Sequence, residues 1–152
     1  MIILDTLKPE YVPQVAEIEK SCFSLPWSED AFYGELDNPL ATYVVAVDGT
    51  DVLGFAGVHE ISGEGYITNI AVSESARRRG IGRVLLEKLI DICKDKCTFV
   101  TLEVRAGNAP AISLYEKLGF EKLGIRKNFY EKPTEDAIIM TLTFEVNNND
   151  AV

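Results

Sequence analysis

Residues 66–83 run YITNIAVSESARRRGIGR. β-Branched and apolar residues up to Val72 have strand composition, a short polar turn follows, and Arg77-Arg78-Arg79-Gly80-Ile81-Gly82 leads into a helical pattern. Two glycines let the backbone approach a bound group closely, and the first N–H groups of a helix have no intrahelical partner. Guanidinium forks match phosphate oxygens and stay charged at any working pH, so a phosphate is the expected guest. The basicity is local, because the chain carries 24 acidic against 15 basic residues and a formal charge of −9. An arginine-glycine turn at a solvated helix start gives the same hexapeptide, and the surrounding sequence must decide between the two readings.

A nucleotide-hydrolase loop needs G-x-x-x-x-G-K-[ST], and a dinucleotide fold needs a third glycine with an acid about twenty residues on. Neither is present. The pattern [Q/R]-x-x-G-x-[G/A], with Arg77, Gly80 and Gly82 at its fixed positions, resembles the acyl-CoA pyrophosphate loop of the GCN5-related N-acetyltransferases (GNAT).

Upstream, residues 2–7 read as a short strand, and Tyr11, Val15, Ile18 and Cys22 fall on one face of a helix with Pro13 in its first turn. Leu25-Pro26-Trp27 breaks that helix, and Ser28 caps a second short one ending before Asn38-Pro39. Residues 42–47 and 52–60 are strand-like runs joined by the hairpin signal Asp48-Gly49-Thr50-Asp51, and a second turn at residues 62–65 makes three antiparallel strands leading into the loop.

Downstream, Ile81, Val84, Leu85, Leu89 and Ile92 recur at helical spacing. Residues 98–104 form the next strand, expected parallel to the strand before the loop because a helix crosses between them. Alternation puts Val100, Leu102 and Val104 on one face and Phe99, Thr101 and Glu103 on the other. A glutamate on a central strand is either functional or salt-bridged, here with Arg105 or Arg126. Asn108 caps another helix, whose stripe is Ala111, Leu114, Tyr115 and Leu118, and Gly119 closes it. Tyr115 is a core aromatic or a functional phenol. A strand near residues 120–124, a polar loop and a strand over residues 137–144 complete one domain, residues 1–146, with a frayed tail at 147–152.

Length and composition are those of a single soluble globular domain. The negative charge opposes direct binding to nucleic acid or an anionic membrane and favours a basic partner. The apolar run at the N-terminus is too short for a signal peptide and no stretch would span a bilayer, so the expected location is the cytoplasm. Cys22, Cys93 and Cys97 read as free thiols with no metal site, and the lone His59 reads as structural.

The segment LEVRAGNAPAISLYEKLGF (residues 102–120), TNIAV before the loop and EDAIIM (residues 135–140) are similar to the protein N-terminal acetyltransferases, most closely the ribosomal-protein-alanine N-acetyltransferases. Asn128-Phe129-Tyr130 departs from the two tyrosines that many relatives carry. The resemblance implies an α/β GNAT fold, a mixed sheet of about seven strands splayed around an acetyl-CoA cleft, with about four helices. It also implies that the backbone of Ile70, Ala71 and Val72 holds the pantetheine arm, that Arg77, Arg78, Arg79, Gly80, Ile81 and Gly82 hold the pyrophosphate, and that Asn108 touches the cofactor. The catalytic base and acid map onto Glu103 and Tyr115. Acetyl-CoA is the implied donor, and the implied acceptor is the N-terminal alanine of a basic small-subunit ribosomal protein. Leu25, Trp27, Tyr33 and Tyr130 are candidates for the peptide groove, each equally placed as core or rim.

These residue types suit acyl transfer to an amine, which must lose a proton before attack while the departing thiolate gains one. An α-amine of pKa 7.7–8.0 is roughly a tenth to a sixth neutral at pH 7, against about one part in 2,500 for lysine, so a lone carboxylate base suits an N-terminus better. Two rival expectations are an acetyltransferase for a small amine, such as a polyamine or antibiotic, and an acyl-CoA-binding module without catalysis.

Overall fold

The computed structural model describes residues 1–145, and the expected tail at 147–152 lies outside them. Its elements are β1 (Ile2–Thr6), a 3-10 turn (Pro9–Tyr11), α1 (Val12–Cys22), α2 (Glu29–Leu36), β2 (Ala41–Asp48), β3 (Asp51–Ile61) and β4 (Glu64–Val72). A second 3-10 turn (Glu74–Ala76) precedes α3 (Ile81–Cys93), β5 (Phe99–Arg105), α4 (Ala109–Lys117), β6 (Glu121–Tyr130) and β7 (Glu135–Thr143). The seven strands make one mixed sheet, as expected, and their order is β1-β2-β3-β4-β5-β7-β6. Among the described residues no helix is long and apolar enough to cross a membrane.

Two compact units divide the chain. The first comprises Met1–His59 and Ile67–Leu89. β2 pairs antiparallel with both β1 and β3, and its alternate residues serve the two faces. Tyr43, Val45 and Val47 join Phe55 and Ala71 against Val12, Val15 and Ile18 of α1 and Phe32 of α2. Phe32, fully buried, meets the rings of Trp27, Tyr43 and Phe55 at 5.6, 6.2 and 5.5 Å. On the other face α3 lies close over β3, where a Cβ at Gly54 would come within 3.3 Å of both Ile81 and Leu85. Gly57 answers a second crowding: it is the cross-strand partner of Tyr43, whose ring occupies the space a side chain there would need.

The buried stripes differ from the expected ones by small rotations. In α1 the buried residues are Val12, Val15, Ile18 and Glu19, with Cys22 only half-buried. In α3 the buried residues are Ile81, Leu85, Leu86, Leu89 and Cys93, and Val84 is 47% exposed.

The second unit comprises Glu60–Tyr66 and Ile90 onward. Here the start of β4 runs parallel to β5, with Glu64, Gly65 and Tyr66 opposite Phe99, Val100 and Thr101. β7 pairs antiparallel with β5 along all seven residues and with β6 on its other side. The expected alternation in β5 holds: Val100, Leu102 and Val104 are buried, while Phe99, Thr101 and Glu103 are half-buried. In α4 the buried residues are Ile112 and Tyr115, and Gly119 takes φ +101° just past the helix end.

β6 corrects the sequence reading. The strand does not stop at Gly124 but continues to Tyr130, through the residues expected as a polar loop. Its register shifts twice, between Lys122 and Gly124 and between Arg126 and Tyr130, with Asn128 at φ +54° in the second irregularity. At the edge of the sheet most of its residues are exposed, so neither alternation nor apolar composition marks it as a strand.

Candidate active site

The two groups of predicted residues lie in different units. In the first unit, β4 brings Ile70, Ala71 and Val72 to the loop, and Ala71 is buried between two half-buried neighbours. After Val72 the chain is pinned by the Ser73 N–H, which donates to the Leu53 carbonyl at 2.8 Å, and by Ala76, 1% exposed. Arg78 and Gly80 then adopt left-handed φ values of +65° and +75°. A Cβ at Gly80 would meet nothing within 4 Å among the described residues, so it is the backbone angle that asks for glycine there. At Gly82 a Cβ would make only ordinary contact, 3.7 Å from Val72, which matches a pattern that accepts glycine or alanine.

The arginines divide their work. Arg77 folds back: its Nε donates to the Val72 carbonyl at 3.3 Å and its Nη2 lies 3.4 Å from Cys22 Sγ. Arg78 and Arg79 are exposed beside the open start of α3, whose first intrahelical bond runs from the Val84 N–H to the Gly80 carbonyl. An unobstructed glycine, helix-start N–H groups without intrahelical partners and exposed guanidinium groups form a cradle that fits a pyrophosphate.

In the second unit, Glu103 projects from β5 with its side chain 33% exposed, and Arg126 Nε lies 3.4 Å from its Oε1. The salt bridge weighed from sequence is therefore present with Arg126. Arg126 is 54% exposed, and a pair this open is weak and easily exchanged when another cation arrives. Tyr115, on α4, is 6% exposed and tilts against Phe120 at 5.7 Å. Burial, with a smaller contribution from Tyr130, pushes its phenol up to about 12. Tyr130 is also pushed up to about 12, by burial first and then by the Glu103 charge, against the opposing pull of Arg105. Asn108 caps α4, its Oδ1 accepting from the Ala111 N–H at 3.3 Å.

The sequence offered Arg105 only as a partner for Glu103, whereas it organises this end of the second unit through other contacts. Arg105 lies 4.5 Å over the Tyr130 ring, pairs with Glu135 at 3.1 Å and donates to the Pro133 and Glu131 carbonyls at 3.0 and 3.1 Å. Glu135 in turn accepts from the Gly107 N–H at 2.6 Å, just before the α4 cap. In the first unit the missed feature is a polar chain. The His59 ring meets Glu35 at 2.7 Å, the Tyr43 hydroxyl lies 3.2 Å from the same Glu35 oxygen and 3.4 Å from Asn69, and Asn69 donates to Glu19 at 3.0 Å. His59 is thereby tied to Glu35 of α2. Of the groove candidates in this unit, Leu25 and Tyr33 are exposed while Trp27 is half-buried against Phe32.

The family model described as the acetyltransferase (GNAT) family matches residues 12–120. The ribosomal protein bS18-alanine N-acetyltransferase of Salmonella typhimurium is 40% identical over 147 residues, covering 93% of this chain and 97% of that relative. The crystal structure of the ribosomal-protein-S18-alanine N-acetyltransferase from Escherichia coli aligns with a TM-score of 0.89 at 35% identity, over 97% of this chain and 96% of that one. The structure of Arabidopsis thaliana NAA60 in complex with acetyl-CoA aligns at TM-score 0.85 and 20% identity, over 94% and 98% of the two chains, a likeness of fold.

Proposed function

Because the chain belongs to the acetyltransferase (GNAT) family, we propose that it transfers the acetyl group of acetyl-CoA to the N-terminal α-amine of a protein, an alanine of a small-subunit ribosomal protein. The acceptor reading draws on the likeness of nearly the whole chain to enzymes named for that reaction. The observation that carries the chemistry is the half-exposed Glu103 carboxylate in the same unit as the buried, firmly protonated phenol of Tyr115.

Acetyl-CoA supplies an acyl group activated as a thioester. The Arg77–Gly82 segment holds the pyrophosphate through Arg78, Arg79 and the N–H groups at the start of α3, with Arg77 bracing the strand end. The backbone of Ile70, Ala71 and Val72 aligns the pantetheine arm as an added strand would, and Asn108 adds a contact. Glu103, directly or through one water, takes a proton from the incoming ammonium group. The neutral amine then forms the C–N bond as the C–S bond breaks, and the Tyr115 O–H supplies the proton that the departing sulfur needs. The second proton shed by the acylated nitrogen returns to the Tyr115 phenolate directly or through water, and Glu103 releases its own proton to solvent. Leu25, Trp27 and Tyr33 in the first unit, and Tyr130 in the second, are candidates for contact with the acceptor peptide, whose basic character suits a chain of charge −9.

The test is CoA release from acetyl-CoA with a peptide beginning Ala-Arg, beside the same peptide carrying a blocked α-amine and a free lysine. Turnover confined to the free α-amine is expected. Turnover on the blocked peptide, or on small amines alone, would overturn the N-terminal assignment.

A further inference from the structure

Glu19 occupies a position on the buried stripe of α1 that an apolar residue would ordinarily fill, and it is 2% exposed. Its two oxygens face two neutral donors: Oε2 accepts from the backbone N–H of Trp27 and Oε1 from the side-chain amide of Asn69, each at 3.0 Å. Asn69 is itself 6% exposed, at the centre of β4 and one residue before Ile70. Burial raises the carboxyl pKa, with the two N–H bonds pulling the other way. Burying such a group is costly, and a leucine or methionine would fill the space without that cost. The carboxylate offers what neither they nor a glutamine can: two acceptors and no donor against two N–H groups.

The segment held this way, residues 23–28, joins α1 to α2. Its outer side chains are exposed and apolar, Phe23 at 40% and Leu25 at 55%, while Trp27 turns inward onto Phe32 at 5.6 Å. One buried charge therefore fixes an exposed apolar loop to the strand expected to carry the acyl donor. We propose that Glu19 is a positioning residue for the acceptor, clamping the loop of Leu25 and Trp27 to β4 through Asn69 so that the peptide surface is set before substrate arrives. This rests on the reading of Leu25 and Trp27 as part of the peptide groove.

The test exchanges the polarity of the clamp. Glu19→Gln points an amide N–H at one of the two donors, Asn69→Asp faces carboxylate with carboxylate, and the double variant lets the introduced amide donate to the introduced carboxylate while its oxygen still accepts from Trp27. In Glu19→Gln the KM for an Ala-Arg peptide is expected to rise about tenfold or more, with kcat and the KM for acetyl-CoA within about threefold. Emission from Trp27, the single tryptophan of the chain, should shift to longer wavelength. The double variant should regain both properties, and it decides the matter even if Glu19→Gln does not fold. A double variant that folds with raised peptide KM, or that fails to fold, overturns the clamp. So does a Glu19→Gln protein that loses thermal stability with peptide KM and Trp27 emission unchanged. Wild-type protein inert on every free α-amine peptide would overturn the acceptor reading and this inference together, whereas active wild type with an insensitive peptide KM overturns this inference alone.

Discussion

Replacing Glu103 with glutamine is expected to lower kcat by about a hundredfold or more while acetyl-CoA still binds. Glutamine keeps the shape of the side chain and can accept a hydrogen bond, but it cannot take the proton that the ammonium group must lose. Tyr115→Phe should cost a similar factor for the opposite reason: the ring stays packed 5.7 Å from Phe120 and only the O–H is gone. Steady-state turnover, with calorimetric titration of acetyl-CoA, separates the lost chemistry from lost binding, and a fall of less than about tenfold in both variants would remove these residues from the acid–base roles. The phenol also sets an alkaline signature. With its folded-state pKa pushed up to about 12, Tyr115 remains a proton donor well above pH 10, so it imposes no loss of kcat there. The unfolded chain releases this proton near pH 10. The stability that the phenol contributes is therefore complete below pH 10 and disappears as the pH rises towards 12, and Tyr115→Phe should flatten that part of the denaturation profile.

Phe32→Ala should cost about 3–5 kcal/mol of folding stability, read from the urea midpoint at unchanged m-value. The ring is fully buried and touches three other aromatic rings, from β2, β3 and the segment joining α1 to α2, so collapse around the lost volume would have to move α2, β2 and β3 together. Against a typical total of roughly 5–15 kcal/mol this leaves a marginal protein. Since Phe32 also supports Trp27, the surviving folded fraction should bind the acceptor peptide more weakly. A cost below about 1.5 kcal/mol would mean that neighbouring side chains refill the space.

The strand, turn and helix around residues 66–83 were legible because their residues obey local rules: β-branched runs, a glycine with positive φ, arginines at a helix start. Glu103 was conspicuous as a carboxylate on a central strand and Tyr115 rode a helical stripe that Asn108 and Gly119 delimit, but their acid–base roles came only from the resemblance to the family. β6 was not legible beyond Gly124, because a strand exposed on both faces carries no burial pattern and this one is interrupted by two register shifts. The Glu19–Asn69 bond joins residues fifty positions apart, and Arg105 reaches partners 26 to 30 positions away. Each of these side chains alone reads as an ordinary surface residue, and only the assembled fold gives it a partner. A glutamate falling on the Val12–Val15 stripe was the one local sign that something polar lay inside.

The three thiols differ in a way that makes the protein chemically addressable. Burial holds Cys93 and Cys97 as protonated thiols, with Cys93 pushed up to about 12, so electrophiles pass them by at neutral pH. Cys22 is half-buried and lies 3.4 Å from the guanidinium group of Arg77 at the edge of the phosphate cradle. A maleimide fluorophore should attach there alone, without mutagenesis, and report from the lip of the donor site. Slower labelling in the presence of CoA, followed by intact-protein mass spectrometry, would measure occupancy of the cradle without any acceptor or turnover.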